Sequence, residues 1–159
     1  MLPVIIAIAA FAIDYFVQTD TEKIKDVIAK AVRAVEKEDA EAIGPLILND
    51  YRDSLHASKQ ALLDNCKERL SEPIIEKNVH GIVSLDVRPP NATSVFTVRI
   101  VFDPQGPIYE FRKMMLFKLQ AELRKEGTNW LFTRVEVLEI DLQPANWQRT
   151  QAAGDEILD

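Results

Sequence analysis

The hydrophobic period changes once along this chain, and that change limits the folds open to it. Before Pro73 apolar residues recur at spacings of three and four, and after it they alternate. Helices therefore precede strands, which is the order of an α+β domain. The alternating half predicts strands at about 82–87, 94–102, 108–125 and 129–142. Between them stand the turn signals Pro89-Pro90-Asn91, Asp103-Pro104-Gln105-Gly106-Pro107 and Glu126-Gly127-Thr128-Asn129. Connections this short make neighbouring strands antiparallel. In the last strand Leu131, Thr133, Val135 and Val137 share one parity, while Leu138, Ile140 and Leu142 take the other. A β-bulge produces such a slip. The run Met114-Met115-Leu116-Phe117 predicts a second bend, in the third strand. Long bulged strands curve a sheet strongly.

The helical half opens on an apolar run. From position 2 to position 17 only Asp14 is charged, and the first basic residue is Lys23. The run is shorter than the roughly 20 residues of a spanning helix. It carries a small-x-small segment, Ala10-Phe11-Ala12, but no basic residue ahead of its apolar part. Three readings stand at this point: a membrane anchor or export signal, a core or interface helix, or a disordered apolar tail. The last is physically poor, because it leaves a large apolar surface in water. Thr19-Asp20-Thr21-Glu22 has capping-box spacing and predicts that a new helix starts there. Its apolar stripe is Ile24, Val27, Ile28, Ala31, Val32 and Val35, with Lys23, Lys25, Lys30, Arg33 and Lys37 on solvated faces. Asp39 caps a short second helix through about Leu48, bent or limited by Gly44-Pro45. Residues 49–53 read as a loop. A third helix at 58–70 buries Leu62, Leu63, Cys66 and Leu70, which makes Cys66 a small core residue.

Composition excludes several functions. The net charge of −6 disfavours nucleic acid as a partner. One cysteine and two histidines exclude a disulfide framework, a multi-thiolate metal site and a three-histidine site, and no glycine-rich phosphate loop is present. No cofactor and no metal is expected. Asn91-Ala92-Thr93 matches a glycosylation sequon, a motif short enough to recur by chance.

Three helices followed by a curved antiparallel sheet resemble the nuclear transport factor 2-like superfamily, a cone-shaped α+β fold. "TEKIKDVIAKAVRAVEKEDAEAI" is similar to its first helix and acidic turn into a short second helix. "NDYRD" resembles the polar segment that follows, and "EGTNWLFTRVEVLEI" its final hairpin. The resemblance covers about 19–144. It divides the chain into an apolar N-terminal helix (1–18), the cone domain (19–144) and a polar tail (145–159). It implies α+β architecture, with three helices packed on the curved sheet behind that apolar helix. It also implies dimers through the sheet. Enzymes of the superfamily work with carboxylates, His or Tyr inside the cone, but no position here matches an enzyme motif, so no catalytic residue is assigned.

The ligand-pocket candidates are Tyr51, His80, Tyr109 and Lys113. Tyr51 lies with Asp50 and Asp53 near the cone mouth by the resemblance, where helix capping is the competing role for the carboxylates. His80 is near the start of the sheet, and His56 sits in a loop. Alternation places Tyr109, Phe111, Lys113, Met115, Phe117 and Leu119 on one face of the third strand. Lys113 interrupts that apolar row and could receive a small anionic ligand in an otherwise apolar pocket. Arg99 and Arg112 fall on the opposite face.

Two functions follow. The first is a non-catalytic small-molecule-binding or protein-interaction domain, membrane-associated or exported through residues 1–17, and otherwise cytoplasmic. The alternative is an isomerase, dehydratase or hydrolase acting in the cone. Apolar residues of both parities also predict a homodimer through the outer sheet face. Phe96, Val98, Ile100 and Phe102 oppose Val95 and Val101, and Trp130 and Phe132 oppose Leu131 and Val135. The N-terminal helix or Trp147 in the tail are the competing covers for that face.

Overall fold

The computed structural model describes residues 2–145; Trp147 and the rest of the tail lie outside them. Helix α1 runs from Leu2 to Glu36 without interruption, about 52 Å at 1.5 Å per residue. The break expected at Thr19 is absent. A capping box serves N–H groups that have no helical carbonyl behind them. Here the preceding residues are themselves helical, so those N–H groups are bonded within α1. The stripe of Ile24, Val27, Ile28 and Val32 is buried as its spacing predicts, with Ala31 and Val35 partly buried beside it.

Helix α2, Ala40–Ile43, starts where Asp39 Oδ1 accepts from the Ala42 N–H at 3.1 Å. It stops short of Leu48 because Pro45 has no N–H to continue it, and the chain tightens into a 3-10 turn at Gly44–Leu46. Residues 47–52 then run beside a sheet edge. Ile47 makes a parallel bridge to Phe132, and Leu48 and Arg52 donate to the carbonyls of Phe132 and Thr133 at 3.0 and 3.2 Å. Helix α3, Lys59–Arg69, is capped by Ser58 Oγ. Its Leu62, Leu63 and Cys66, with Leu70 at the C-cap, pack partly buried against the core, and burial pushes the Cys66 thiol pKa up.

The sheet has strands β1 (Ile75–Arg88), β2 (Asn91–Phe102), β3 (Met114–Glu126), β4 (Asn129–Ile140) and the short β5 (Gln143–Pro144). They lie in sequence order, and every pair is antiparallel. β1 starts well before residue 82. Its first turn of pairing is polar (Glu76, Lys77, Asn78), so alternation hid it. Carboxylates of the α1 end hold it instead: Glu38 Oε1 accepts from Ile74 and Ile75 at 2.7 and 2.8 Å, and Glu36 Oε2 accepts from Asn78 at 2.7 Å.

β3 starts at Met114, not at residue 108. The segment before it satisfies its backbone locally, with Gly106 donating to Asp103 O at 2.9 Å and Arg112 to Ile108 O at 2.9 Å. The expected bend at 114–117 is also absent, since β3 pairs with β2 in unbroken register. The bulges of this half lie on β4. Lys118 opposes Glu139 and Leu119 opposes Val137, so Leu138 is the extra residue, at the slip seen in the sequence. A second bulge at Thr133 separates the Arg134 and Phe132 pairings. It puts Trp130 and Phe132 on the same face as Val135, where alternation had opposed them. β4 ends at Ile140 rather than Leu142, because Asp141 and Leu142 turn with φ of 50° and 67°. Asp141 secures that turn by accepting from the Leu116 N–H at 2.9 Å and pairing with Arg112 at 2.9 Å.

The core lies between α1 and the concave sheet face, with Phe96, Val98, Ala121, Leu123, Trp130 and Phe132 against the α1 stripe.

Candidate functional site

The segment "NDYRDSLH" leaves the 3-10 turn extended and then folds on Asp53. Asp53 Oδ1 accepts from the N–H groups of Leu55 and His56 at 2.7 and 2.6 Å, closing an Asx-type turn. The same carboxylate receives the Tyr51 hydroxyl and lies 2.9 Å from His56 Nδ1. Tyr51 is fully buried. Burial raises its phenol pKa, and the adjoining Asp53 carboxylate reinforces the rise. Burial alone would raise Asp53 as well. The Tyr51 hydroxyl, His56 and the two backbone donors outweigh it and hold the carboxyl below its usual range. Ser54 extends the cluster onto β4, with its N–H and Oγ donating to the two Glu136 oxygens at 3.0 and 2.6 Å. These bonds fasten the loop to the β4 edge. The Asp53 carboxylate also holds the His56 ring through Nδ1.

Of the four pocket candidates, Tyr51 joins this cluster and the other three do not. His80 opposes Val98 in the β1–β2 ladder and is exposed. Tyr109 and Lys113 precede β3, so the row that placed them in the cone does not exist. Lys113 is exposed, its ammonium 5.8 Å from the centre of the Tyr109 ring, a surface cation–π contact. Neither Arg99 nor Arg112 enters the cluster. His56, set aside in the sequence as a loop residue, is the histidine that the fold brings to a carboxylate. Among the described residues no group of three or more His, Cys, Asp or Glu side chains could hold a metal ion.

A second polar cluster is built where α1 meets the β3–β4 hairpin. Asp20 is only 6% exposed. Its Oδ1 accepts from Trp130 Nε1 at 3.0 Å, and Lys125 Nζ stands 2.9 Å away. Burial opposes ionisation, but the bonds from Lys125 and Trp130 and the charges of Lys125 and Lys23 prevail, so the Asp20 pKa is lowered. Asp20 stands four residues before Ile24, on the buried stripe, and that spacing was the signal available for it. Asp20→Ala strands the Trp130 N–H in the core and should cost about 2–3 kcal/mol, read as a lower urea midpoint. Both Asp20 and Asp53 titrate below their unfolded values. Their stabilisation is complete above the unfolded pKa near 4 and is lost as pH falls through the folded values. The urea midpoint should therefore drop below about pH 4, and less steeply in Asp20→Ala. A midpoint that rose on acidification would contradict both assignments.

Two clefts flank the core. One of about 320 Å³ lies between α1, the 3-10 turn and the β3–β4 turn, lined by Lys23, Lys30, Leu46, Thr128 and Asn129 among others. One of about 190 Å³ lies on the convex sheet face, between Val83, Thr97, Leu116, Lys118, Glu139 and Leu142. None of the four pocket candidates lines either.

The chain has the nuclear transport factor 2-like fold, and solved structures share it along most of their length. A type 2 hexachlorocyclohexane dehydrochlorinase (LinA) is 14% identical, with a TM-score of 0.60 over 84% of this chain and 94% of its own. A conserved protein from Planctomyces limnophilus is 14% identical, TM-score 0.59, covering 76% and 98%. An NTF2-like protein from Cytophaga hutchinsonii is 13% identical, TM-score 0.59, covering 74% and 95%. No family model and no curated protein matches the sequence. Likeness at this identity carries the architecture and leaves the chemistry to the site.

Proposed function

We propose that this chain is a membrane-tethered, non-catalytic binding or interaction domain of the nuclear transport factor 2-like fold. The observation that carries the reading is the two-part character of α1. Its second half is core. In its first half Val4, Ile5, Ile6, Ile8, Phe11 and Ile13 are 59–78% exposed. α1 is long and apolar enough to cross a membrane by length and composition. Within it the uncharged stretch at 2–17, broken only by Asp14, amounts to about 24 Å of helix, which standing upright reaches through most of the ~30 Å hydrocarbon layer. Fractionation of cells expressing the full gene product tests it. Recovery with the membranes supports the tether, and recovery in the soluble fraction with the segment intact refutes it.

Support for a non-catalytic role is that the concave face is filled by side chains, Trp130 and Tyr51 the largest of those fully buried. The enzyme reading rests on the Asp53–His56 pair, whose carboxylate orients an imidazole as a general base requires. Chemistry at that pair predicts a small-molecule turnover lost in His56→Ala, and an interaction domain predicts none.

The domain further pairs with a second copy through its convex face, where Val79, Val83, Met114 and Leu142 are exposed around the smaller cleft. Sedimentation equilibrium of the full chain in neutral detergent should show a dimer at micromolar concentration, and Val83→Glu should dissociate it. A stable wild-type monomer would count against this face.

A further inference from the structure

Resting on the tether just proposed, we infer that the end of the sheet carrying the β1–β2 and β3–β4 turns is a membrane-facing surface, held against the lipid headgroups by Asp20. α1 enters the domain with no linker, so with its apolar half standing along the bilayer normal the level at which it leaves the lipid fixes the level of everything bonded to it. Asp20 lies three residues beyond the apolar run, about 4.5 Å along the helix. The headgroup layer is about 5–7 Å deep on each side of the hydrocarbon. Whatever Asp20 holds therefore stands within that layer. It holds Lys125 and Trp130, on either side of the β3–β4 turn. Lys125 N in turn donates to Pro90 O at 2.7 Å, which brings the β1–β2 turn to the same level.

The other end of α1 places the opposite pole. Glu36 and Glu38 bond the start of β1, some 24 Å further along the helix axis. Beside them Asp103 N donates to Ile74 O at 2.9 Å. The β2–β3 connection, with Phe111 89% exposed, is thereby displayed away from the bilayer.

Charge does not set this orientation. Three of the bases at the membrane-facing end are already paired, Arg88 with Asp86, Arg124 with Asp50 and Glu126, and Lys125 with Asp20, which leaves Lys23, beside Thr128 and Asn129 in the larger cleft, as a single basic contribution. Neutral phosphatidylcholine should accept the surface as well as an anionic bilayer does, since the helix imposes the contact.

The experiment uses the full chain with its one cysteine removed (Cys66→Ala). A single cysteine is then introduced at Asn91, Thr128 or Gln105 and labelled with a fluorophore. Phosphatidylcholine vesicles carry a nitroxide quencher on the headgroup, and flotation with the vesicles is read first. Chains that do not float refute the tether, and this surface with it. With floating chains, labels at positions 91 and 128 should be quenched at least three-fold more than the label at 105. Equal quenching at all three, or strongest quenching at 105, overturns the orientation while leaving the tether standing. Adding Asp20→Ala should shrink the contrast between 128 and 105. An undiminished contrast in a variant that keeps its helical circular dichroism removes Asp20 from the holding role.

Discussion

Ile28→Asp is expected to leave the domain largely unfolded. Ile28 is fully buried on α1, in the same stripe as Ile24 and against the concave sheet face. The substitution removes about 2–3 kcal/mol of apolar burial and introduces a carboxyl group among side chains that offer it no partner. Protonation relieves part of that penalty, yet the neutral acid still needs hydrogen bonds that an apolar site does not supply. A combined loss of more than about 4 kcal/mol is the consequence. Domains of this kind hold only about 5–15 kcal/mol in total. Lys25→Asp, three residues earlier on the exposed face, also puts an aspartate into the helix but leaves it in water, and should shift stability by no more than about 0.5 kcal/mol. Urea unfolding followed by circular dichroism separates the two. A cooperative Ile28→Asp transition at the wild-type midpoint would mean that another face of α1 meets the sheet.

That helix also shows how far the sequence could be read. Periodicity found the stripe from Ile24 to Val35, because a helix must bury one face and the spacing of apolar residues reports which one. The cap of α2 at Asp39 and the bulge at Leu138 were legible for similar reasons, since each is a local rule written in adjacent residues. The supposed start at Thr19 failed because a capping box and a mid-helix polar step look identical until the preceding residues are known to be helical. Asp20 was then misread as part of a cap, when its partners, Lys125 and Trp130, lie more than a hundred positions away. The bulge at Thr133 was hidden because alternation across it is kept up by residues that change faces. Lys113 and Tyr109 were grouped by extending a strand pattern through 108–112, where Phe111 and Arg112 donate locally to Ile108 O and pairing with β2 begins only at Lys113. The Asp53–His56 contact rests on loop geometry that no hydrophobic pattern encodes, although Tyr51 and Asp53 stood out in the sequence as polar residues in a short loop.

The second large effect concerns the exposed half of α1. Ile5, Ile8 and Phe11 are among its most apolar surface residues, at spacings of three that keep them close to one face. Burying them in lipid gains about 1.5–3 kcal/mol each, so replacing all three by glutamate removes that gain and adds the cost of three carboxylates in hydrocarbon. Membrane association should fall by at least a thousand-fold. The core half of the helix is untouched by these changes, so the unfolding midpoint of the domain in detergent should stay where it is. This pairing of outcomes follows from the two-part helix, since a buried or interface role for residues 4–13 would tie membrane binding and stability together.

Flotation of the full chain with phosphatidylcholine vesicles, wild type beside Ile5→Glu/Ile8→Glu/Phe11→Glu, is the measurement that bears most directly on the tethered-domain account. The account predicts that the wild type floats with the vesicles, and that the triple variant stays at the bottom of the gradient with the wild-type unfolding midpoint. A wild-type chain left at the bottom of the gradient, or a triple variant that floats as well as the wild type, would contradict it.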